Sequence, residues 1–142
     1  MQLSTKGQYA LYAMHDLAVH EHDGVRNLKA MQGIGVPMEY LEQLLGQLRR
    51  AGLVKTVRGA NGGYMLAKPT EEITLGDIIR ATEGPITFTK CVEDADNCQG
   101  AFNCPARPVW VYLTEQIDML LNTITLRDVL DERKFAQPER KA

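Results

Sequence analysis

No stretch of this sequence approaches the ~20 consecutive apolar residues that a bilayer-spanning helix needs. A helical membrane protein is therefore not expected. Residues Met1 to Gln8 are polar and lack the apolar centre of a secretory signal. The expected location is the cytoplasm, where thiols stay reduced. Cysteine is scarce, with three in the chain, and a purely disulfide-bonded framework would leave one thiol over. Histidine is equally scarce, and His20 and His22 lie too close in sequence to share one helix face. There is no nucleophile–base constellation, no phosphate-binding loop and no internal repeat. These absences argue against an enzyme.

What remains is a chain of 142 residues, 44% of them hydrophobic. That suffices for one domain with a modest core and an appended interaction helix. The net charge of −2 argues weakly against a nucleic-acid partner. Its distribution is uneven, however. Residues 1–68 carry eight basic and five acidic side chains, a balance of +3, whereas residues 69–142 carry eight and thirteen, a balance of −5. A mildly basic first half beside an acidic second half suits a DNA reader joined to a sensor or dimer module.

The apolar spacing predicts a helix over residues 5–19, with Ser4 or Thr5 as cap and Leu11, Met14, Leu17 and Ala18 as its stripe. A polar break at residues 20–24 precedes a second short helix, capped by Asn27 and carrying Leu28, Met31 and Ile34. A turn over residues 33–37 leads to a third helix from Pro37 to Ala51, with Leu41, Leu44, Leu45 and Leu48 buried and Gly52 as its stop. Residues 53–57 and 63–67 read as two strands around Arg58-Gly59-Ala60-Asn61-Gly62, where Asn-Gly is a strong hairpin signal. Thr74 to Asp77 and Thr125 to Asp128 are near capping boxes, each with Asp in place of Glu or Gln. Between them, Trp110, Leu113, Ile117, Leu120, Leu121 and Ile124 form a stripe of about two heptads, read as a dimer helix.

The expected fold is mainly α with a small β-hairpin wing: a winged helix-turn-helix plus a long C-terminal dimerisation helix. Its expected segments are a DNA-binding domain over 1–84, a cysteine loop over 85–107, dimerisation and short final helices over 108–135, and a flexible tail over 136–142.

In a helix-turn-helix the second helix of the motif enters the major groove. Here that is the third helix, whose other face carries Tyr40, Gln43 and Gln47. Gln pairs bidentately with adenine, and Tyr can bond phosphate. Arg49 and Arg50 at the far end are open to phosphates or the core. Arg58, Gly59, Asn61 and Gly62 form the wing tip, whose glycines, with Gly63, let backbone approach DNA and take positive φ. Lys6 is a candidate phosphate contact. Each residue alone reads more simply as a solvated polar group; the ordered combination carries the assignment.

The cysteines are spaced Cys91-x6-Cys98-x5-Cys104 within a segment lacking helical or strand period. Three thiolates from one segment can hold an iron–sulfur cluster if a fourth ligand comes from elsewhere. They equally suit a closed zinc site or metal-free redox thiols. Spacing alone does not choose.

Three stretches tie the sequence to a known family. Leu3-Ser4-Thr5-Lys6-Gly7-Gln8-Tyr9-Ala10-Leu11, Tyr40-Leu41-Glu42-Gln43-Leu44 with Leu48 to Val54, and Val57 to Tyr64 resemble the IscR/NsrR/CymR family of bacterial winged-helix regulators, in register from residue 1 to about 130. The resemblance implies a homodimeric repressor-type regulator binding a pseudo-palindromic operator in double-stranded DNA. Cluster-binding members carry a cysteine trio in this segment, so Cys91, Cys98 and Cys104 are identified as cluster ligands, with [2Fe–2S] favoured over [4Fe–4S]. Control of iron–sulfur biogenesis genes is the implied role; sensing of nitric oxide, thiol redox state or a protein partner is the alternative. Two departures concern the fourth ligand. Where the IscR branch has His three residues after the last Cys, this chain has Arg107, and where the NsrR branch uses an Asp of the first helix, it has Gln8. His15, Glu93, Asp94 and Asp96 are available, although a surface or packing histidine and a solvated acidic loop are the simpler readings.

Overall fold

In the computed structural model, residues 3–93 and 104–136 are described. Helix α1 spans Thr5–Val19 and buries Gly7, Ala10, Ala13, Met14, Asp16, Leu17 and Ala18. Leu11 of the expected stripe is only half-buried; Ala10 and Ala13, fully enclosed, carry the packing instead. Small side chains there let neighbouring helices close on α1. Ser4 holds the cap position with extended backbone, but its side chain makes no capping bond to the helix. Glu83 does that work from another helix. One of its carboxylate oxygens accepts from Ser4 N–H at 2.9 Å, from Gly7 N–H at 3.2 Å and from the Ser4 hydroxyl. A carboxylate at a helix N-terminus satisfies orphan donors and complements the helix dipole.

The second helix expected after Asn27 is instead a run of turns. Asn27 does cap it, its Oδ1 accepting from Ala30 N–H at 2.7 Å. The following bonds shorten to the three-residue type, Met31 N–H to Leu28 and Gln32 N–H to Lys29. Met31 still enters the core, fully buried. Helix α2 runs Met38–Arg50, one residue later than expected, because Pro37 is the cap rather than the first helical position. Its four predicted leucines are all buried.

Strands β1 (Val54–Val57) and β2 (Gly63–Leu66) pair antiparallel, with Val54 opposite Leu66 and Val57 opposite Gly63. A third rung was not read from the sequence: Arg26 bridges Tyr64, with N–H···O distances of 2.9 and 2.7 Å. The Arg26 side chain then turns inward. Its Nε and Nη2 donate to the two carboxylate oxygens of buried Asp16 at 3.2 and 3.0 Å, and Nη2 also reaches the Ala30 carbonyl at 2.9 Å.

Helix α3 spans Leu75–Glu83, and both anticipated capping boxes form, Thr74/Asp77 at its start and Thr125/Asp128 at the start of the final helix. A four-residue helix α4, Lys90–Glu93, lies inside the segment expected to lack regular structure. Helix α5 spans Arg107–Thr123 and α6 spans Leu126–Leu130. The chain returns to the head at α6: Thr74 bridges Thr125, Leu126 N–H bonds the Ile73 carbonyl at 2.8 Å, and Leu126 is fully buried in the same core as α1 and α2. Arg80 pins α3 to α5 through Asp118 at 2.7 Å and Asn122 at 2.6 Å.

Asp77 has its pKa held below the ordinary 3.8: burial pushes it up, but hydrogen bonds from Thr74 and the Arg80 charge outweigh that. Asp128 is lowered by its bonds to Lys134 and Thr125. Carboxyls depressed on folding add stability that is present above the unfolded value and lost as pH falls through the folded one. Unfolding midpoints should therefore fall as pH drops below about 3.8. Asp77→Ala should cost about 1 kcal/mol at neutral pH and show a smaller acid loss, measured by urea unfolding at each pH.

Candidate DNA interface and cysteine segment

Helix α2 turns its four leucines inward, which leaves an outward groove lined by Glu39, Glu42, Gln43, Gly46, Gln47 and Arg50. Gln43 is exposed. Gln47 is half-buried, and its Oε1 is enclosed without a hydrogen-bond partner among the described residues. Such an acceptor is costly to leave empty. Tyr40 is half-buried, its ring held edge-on against Tyr9 with centroids 5.6 Å apart. The sequence reading missed Glu39 and Glu42 on this face. Carboxylates repel phosphates but accept from the cytosine amino group at a base edge, so their place in the groove was legible once α2 was phased by its leucines.

Lys6 is exposed on the first turn of α1 and lines a shallow pocket with Ser4, Thr5, Tyr40, Thr82 and Glu83. The structure thus brings Lys6 beside Tyr40. At the wing, Arg58, Gly59, Ala60 and Asn61 are exposed. Gly59 has φ of 114°, the one positive value in the tip; Gly62 and Gly63 do not share it. They are needed for space instead. A Cβ on Gly62 would collide with the Val57 carbonyl oxygen, and one on Gly63 with the Arg26 backbone. Among the described residues no ion pair engages Lys6, Arg49, Arg50 or Arg58.

Two of the three cysteines are described. Cys91 sits on α4, half-buried, with its Sγ 3.0 Å from the Thr89 hydroxyl. Its segment is fastened to α5 by Phe88, which stacks on Trp110 at 5.4 Å and donates its N–H to the Thr114 hydroxyl at 2.8 Å. Cys104, also half-buried, precedes α5, and its carbonyl accepts from Arg107 N–H at 3.3 Å. Cys98, Asp94 and Asp96 lie outside the described residues, as does the side chain of Glu93. Among the described residues no three His, Cys, Asp or Glu side chains form a metal-sized group. Gln8 bonds the Leu3 carbonyl at 3.2 Å, and His15 lines a groove with Tyr12, Asp16 and His20 on the far side of α1's sequence.

The α5 N-terminus fits an anionic, sulfur-held group on two counts. Its cap, Ala106, offers no side-chain acceptor, and Arg107 carries an enclosed Nε–H without a partner among the described residues. Free thiols at this end are soft donors, suited to iron or zinc.

Three helices, a turn and a two-stranded wing, with an outward polar face on α2, define a winged-helix DNA-binding regulator. The chain belongs to the Rrf2 family, described as iron-dependent transcriptional regulators, whose model matches residues 3–132. It is similar to the HTH-type transcriptional regulator IscR of Erwinia tasmaniensis, 39% identical over 138 residues, 95% of this chain and 82% of the relative. Among solved structures it resembles T. potens IscR, at TM-score 0.74 and 40% identity over 97% of this chain and 94% of that one. It also resembles CymR, the global cysteine regulator of B. subtilis, at TM-score 0.73 and 40% identity over 91% and 95%. The chain is thus a transcriptional regulator of the Rrf2 family, similar to IscR, and no helix among its described residues is long and apolar enough to cross a membrane.

The wing geometry generates a test. Gly62→Ala should force the tip to shift off the Val57 carbonyl, costing about 1–3 kcal/mol of stability. It should weaken binding to DNA more than Asn61→Ala does, as read by thermal melting and fluorescence anisotropy.

Proposed function

We propose that this chain acts as a homodimer whose grip on a pseudo-palindromic operator is set by an iron–sulfur cluster held by Cys91, Cys98 and Cys104, with [2Fe–2S] as the preferred form and iron–sulfur biogenesis genes as the targets. The observation that carries the reading is the presence of two half-buried thiols on the segments that adjoin α5, one on the α4 segment fastened to that helix and one just before its first turn. When bound, the cluster supplies a reversible, signal-sensitive link between these segments; the rest of the device is protein.

On the DNA side, Gln43 and Gln47 read base edges. Tyr40 and Lys6 hold phosphates from adjoining elements. Arg58, with Gly59, Asn61 and Gly62, reaches the neighbouring groove or backbone. Half-sites on one face of B-DNA are about 34–36 Å apart or multiples of that, so a small change in head separation changes affinity. The cluster biases that equilibrium only by its differential affinity for the two arrangements.

Support for the homodimer comes from α5. Trp110, Ile117 and Leu121 of its expected stripe turn toward the chain's own residues, Ile117 and Leu121 lining a cavity with Leu3, Leu11, Leu75 and Ile79. A second face stays open: Val109, Tyr112, Met119 and Leu120 are 52–61% exposed at helical spacing, and Thr114 is the helix's one buried residue. An apolar helix face of this length is unfavourable in water and suits a second copy of itself. Leu120→Glu with Met119→Glu should shift the species seen by light scattering from dimer to monomer, and weaken operator binding more than tenfold.

The central test is anaerobic purification with assay of iron, sulfide and zinc. A brown protein with iron and sulfide supports the proposal, whereas a colourless one holding zinc, or metal-free protein with full operator affinity, overturns it. Cys98→Ala should abolish the visible absorption and change operator affinity at least tenfold, about 1.4 kcal/mol.

A further inference from the structure

Phased by its four buried leucines, helix α2 points Glu39, Gln43, Gly46 and Arg50 the other way, at steps of four, three and four residues. The middle of that outermost ridge is therefore a glycine. A glycine inside a helix disfavours the folded state by roughly fivefold relative to alanine. Nothing among the described residues requires one at this position. Gly46 has ordinary helical backbone, unlike the glycines held at positive φ. Each remaining described glycine, Gly7, Gly62, Gly63 and Gly76, has the place of a Cβ taken by a neighbour closer than 3.0 Å. At Gly46 the one side-chain atom that a Cβ would meet within 4 Å is Arg50 Nη1, at 3.6 Å, an ordinary van der Waals contact. Neither backbone torsion nor packing within the chain calls for glycine here.

Resting on the reading of α2 as the helix that enters the major groove, we propose that Gly46 is a clearance residue, its bare Cα the point where the edge of a base pair packs against the α2 backbone. The dimensions favour it. A helix with its side chains is about 10–12 Å across, and the major groove of B-DNA is about 12 Å wide. A helix so close to the groove width sits only as deep as its outermost ridge allows. Gln43 and Arg50 flank Gly46 and stand about 10 Å apart along the axis, roughly three base-pair steps. The missing side chain between them lets the axis descend, so that Gln43 reaches a base edge while the backbone at Gly46 meets the neighbouring one. An apolar contact of this kind discriminates by shape, since it admits an edge that fits and gives no hydrogen bond to one that does not. Arg50 is exposed and engages no ion pair among the described residues, so its guanidinium can swing off the notch and reach a phosphate.

The test uses the full chain, purified anaerobically, and two labelled duplexes: one selected by the unsubstituted chain from a random double-stranded library, and a scrambled version of it. Binding is read by fluorescence anisotropy and folding by thermal melting. Gly46→Ala should bind the selected duplex about tenfold more weakly, with its affinity for the scrambled duplex changed by less than about twofold, because non-specific binding rests on phosphate contacts. The same variant should melt no lower than the unsubstituted chain and up to roughly 4 °C higher, since alanine favours the helix and meets no clash. Gly46→Leu should bind the selected duplex more weakly still. The loss should persist in an Arg50→Ala background, which separates clearance for DNA from room for the arginine. Undiminished binding of the selected duplex by Gly46→Ala overturns the proposal. So does an equal loss on both duplexes, a loss that vanishes in the Arg50→Ala background, or a lower melting temperature, which would mark a packing role. Gln43→Ala tests the reading beneath it. If that variant weakens selected binding and Gly46→Ala does not, clearance alone fails; if neither weakens it, α2 is not the helix that enters the groove and both fall together.

Discussion

The close approach of helices around the small-residue face of α1 is the constraint from which the rest of this structure follows. Ala10 and Ala13 are fully enclosed beside Met14, and α2, α3, α6 and the wing strand β2 all close on that helix. Interiors at crystal-like density transmit displacement rather than absorb it. Each element that carries a candidate DNA contact is therefore referenced to one rod. α2 is seated by four leucines. The wing is seated through Arg26, whose backbone extends the sheet at Tyr64 while its guanidinium grips Asp16 of α1 with two bonds. Removing one partner of such a buried pair strands the other charge, which is far costlier than the pair is stabilising. The wing and α1 consequently move as one.

Much of this was legible in the sequence, and the reasons are local. The heptad-like leucines of α2 fixed both its existence and its outward face. The Thr–Asp spacing marked the starts of α3 and α6, although Asp is shorter than the usual Glu, because the N3 carboxylate still reaches the cap amide at 3.1 and 3.0 Å. The illegible parts are non-local. Nothing near Arg26 signals a strand, since a one-residue bridge has no period; its signal was Gly63, whose missing side chain makes room for it. Ala10 and Ala13 escaped notice because alanine is neutral in any hydrophobic pattern. The predicted helix after Asn27 failed where Gly33 and Gly35, both at positive φ, turn the chain away before a second turn forms.

The site was legible unevenly for the same reason. The candidate readers on α2 lie where its period places them, whereas the partnerships of Tyr40 with Tyr9 and of Lys6 with the α3 end depend on how α1 docks. The wing tip showed its glycines but not their distinct uses, one for backbone torsion and two for clearance. In the cysteine segment, spacing announced a sulfur-rich site without naming its metal. That α5 has two apolar faces, one toward its own head and one open, follows only from the three-dimensional packing; the stripe read from sequence contains chiefly the inward one.

Among the described residues a continuous chain of contacts joins the helix that follows the cysteines to the first turn of α1. Glu83 closes α3 and stands just before Gly84, where the chain departs toward Cys91. The same carboxylate holds the first turn of α1, which carries Lys6 and adjoins Tyr40. On the other side, Arg80, one turn earlier on α3, fastens α5 through Asp118 and Asn122, and Gly76 lets the helices touch, because a Cβ there would collide with Asn122. Helix α3 is thus gripped at one end by the N-terminus of α1, which carries Lys6, and along its length by the helix that follows the cysteines. A shift of α5 relative to the head must either break the Arg80 bonds or carry α3, and with it Glu83, along. Those bonds are partly exposed to solvent, whereas Ile78 and Ile79 seat α3 in the buried core, so of the two attachments of α3 the one to α5 is the weaker.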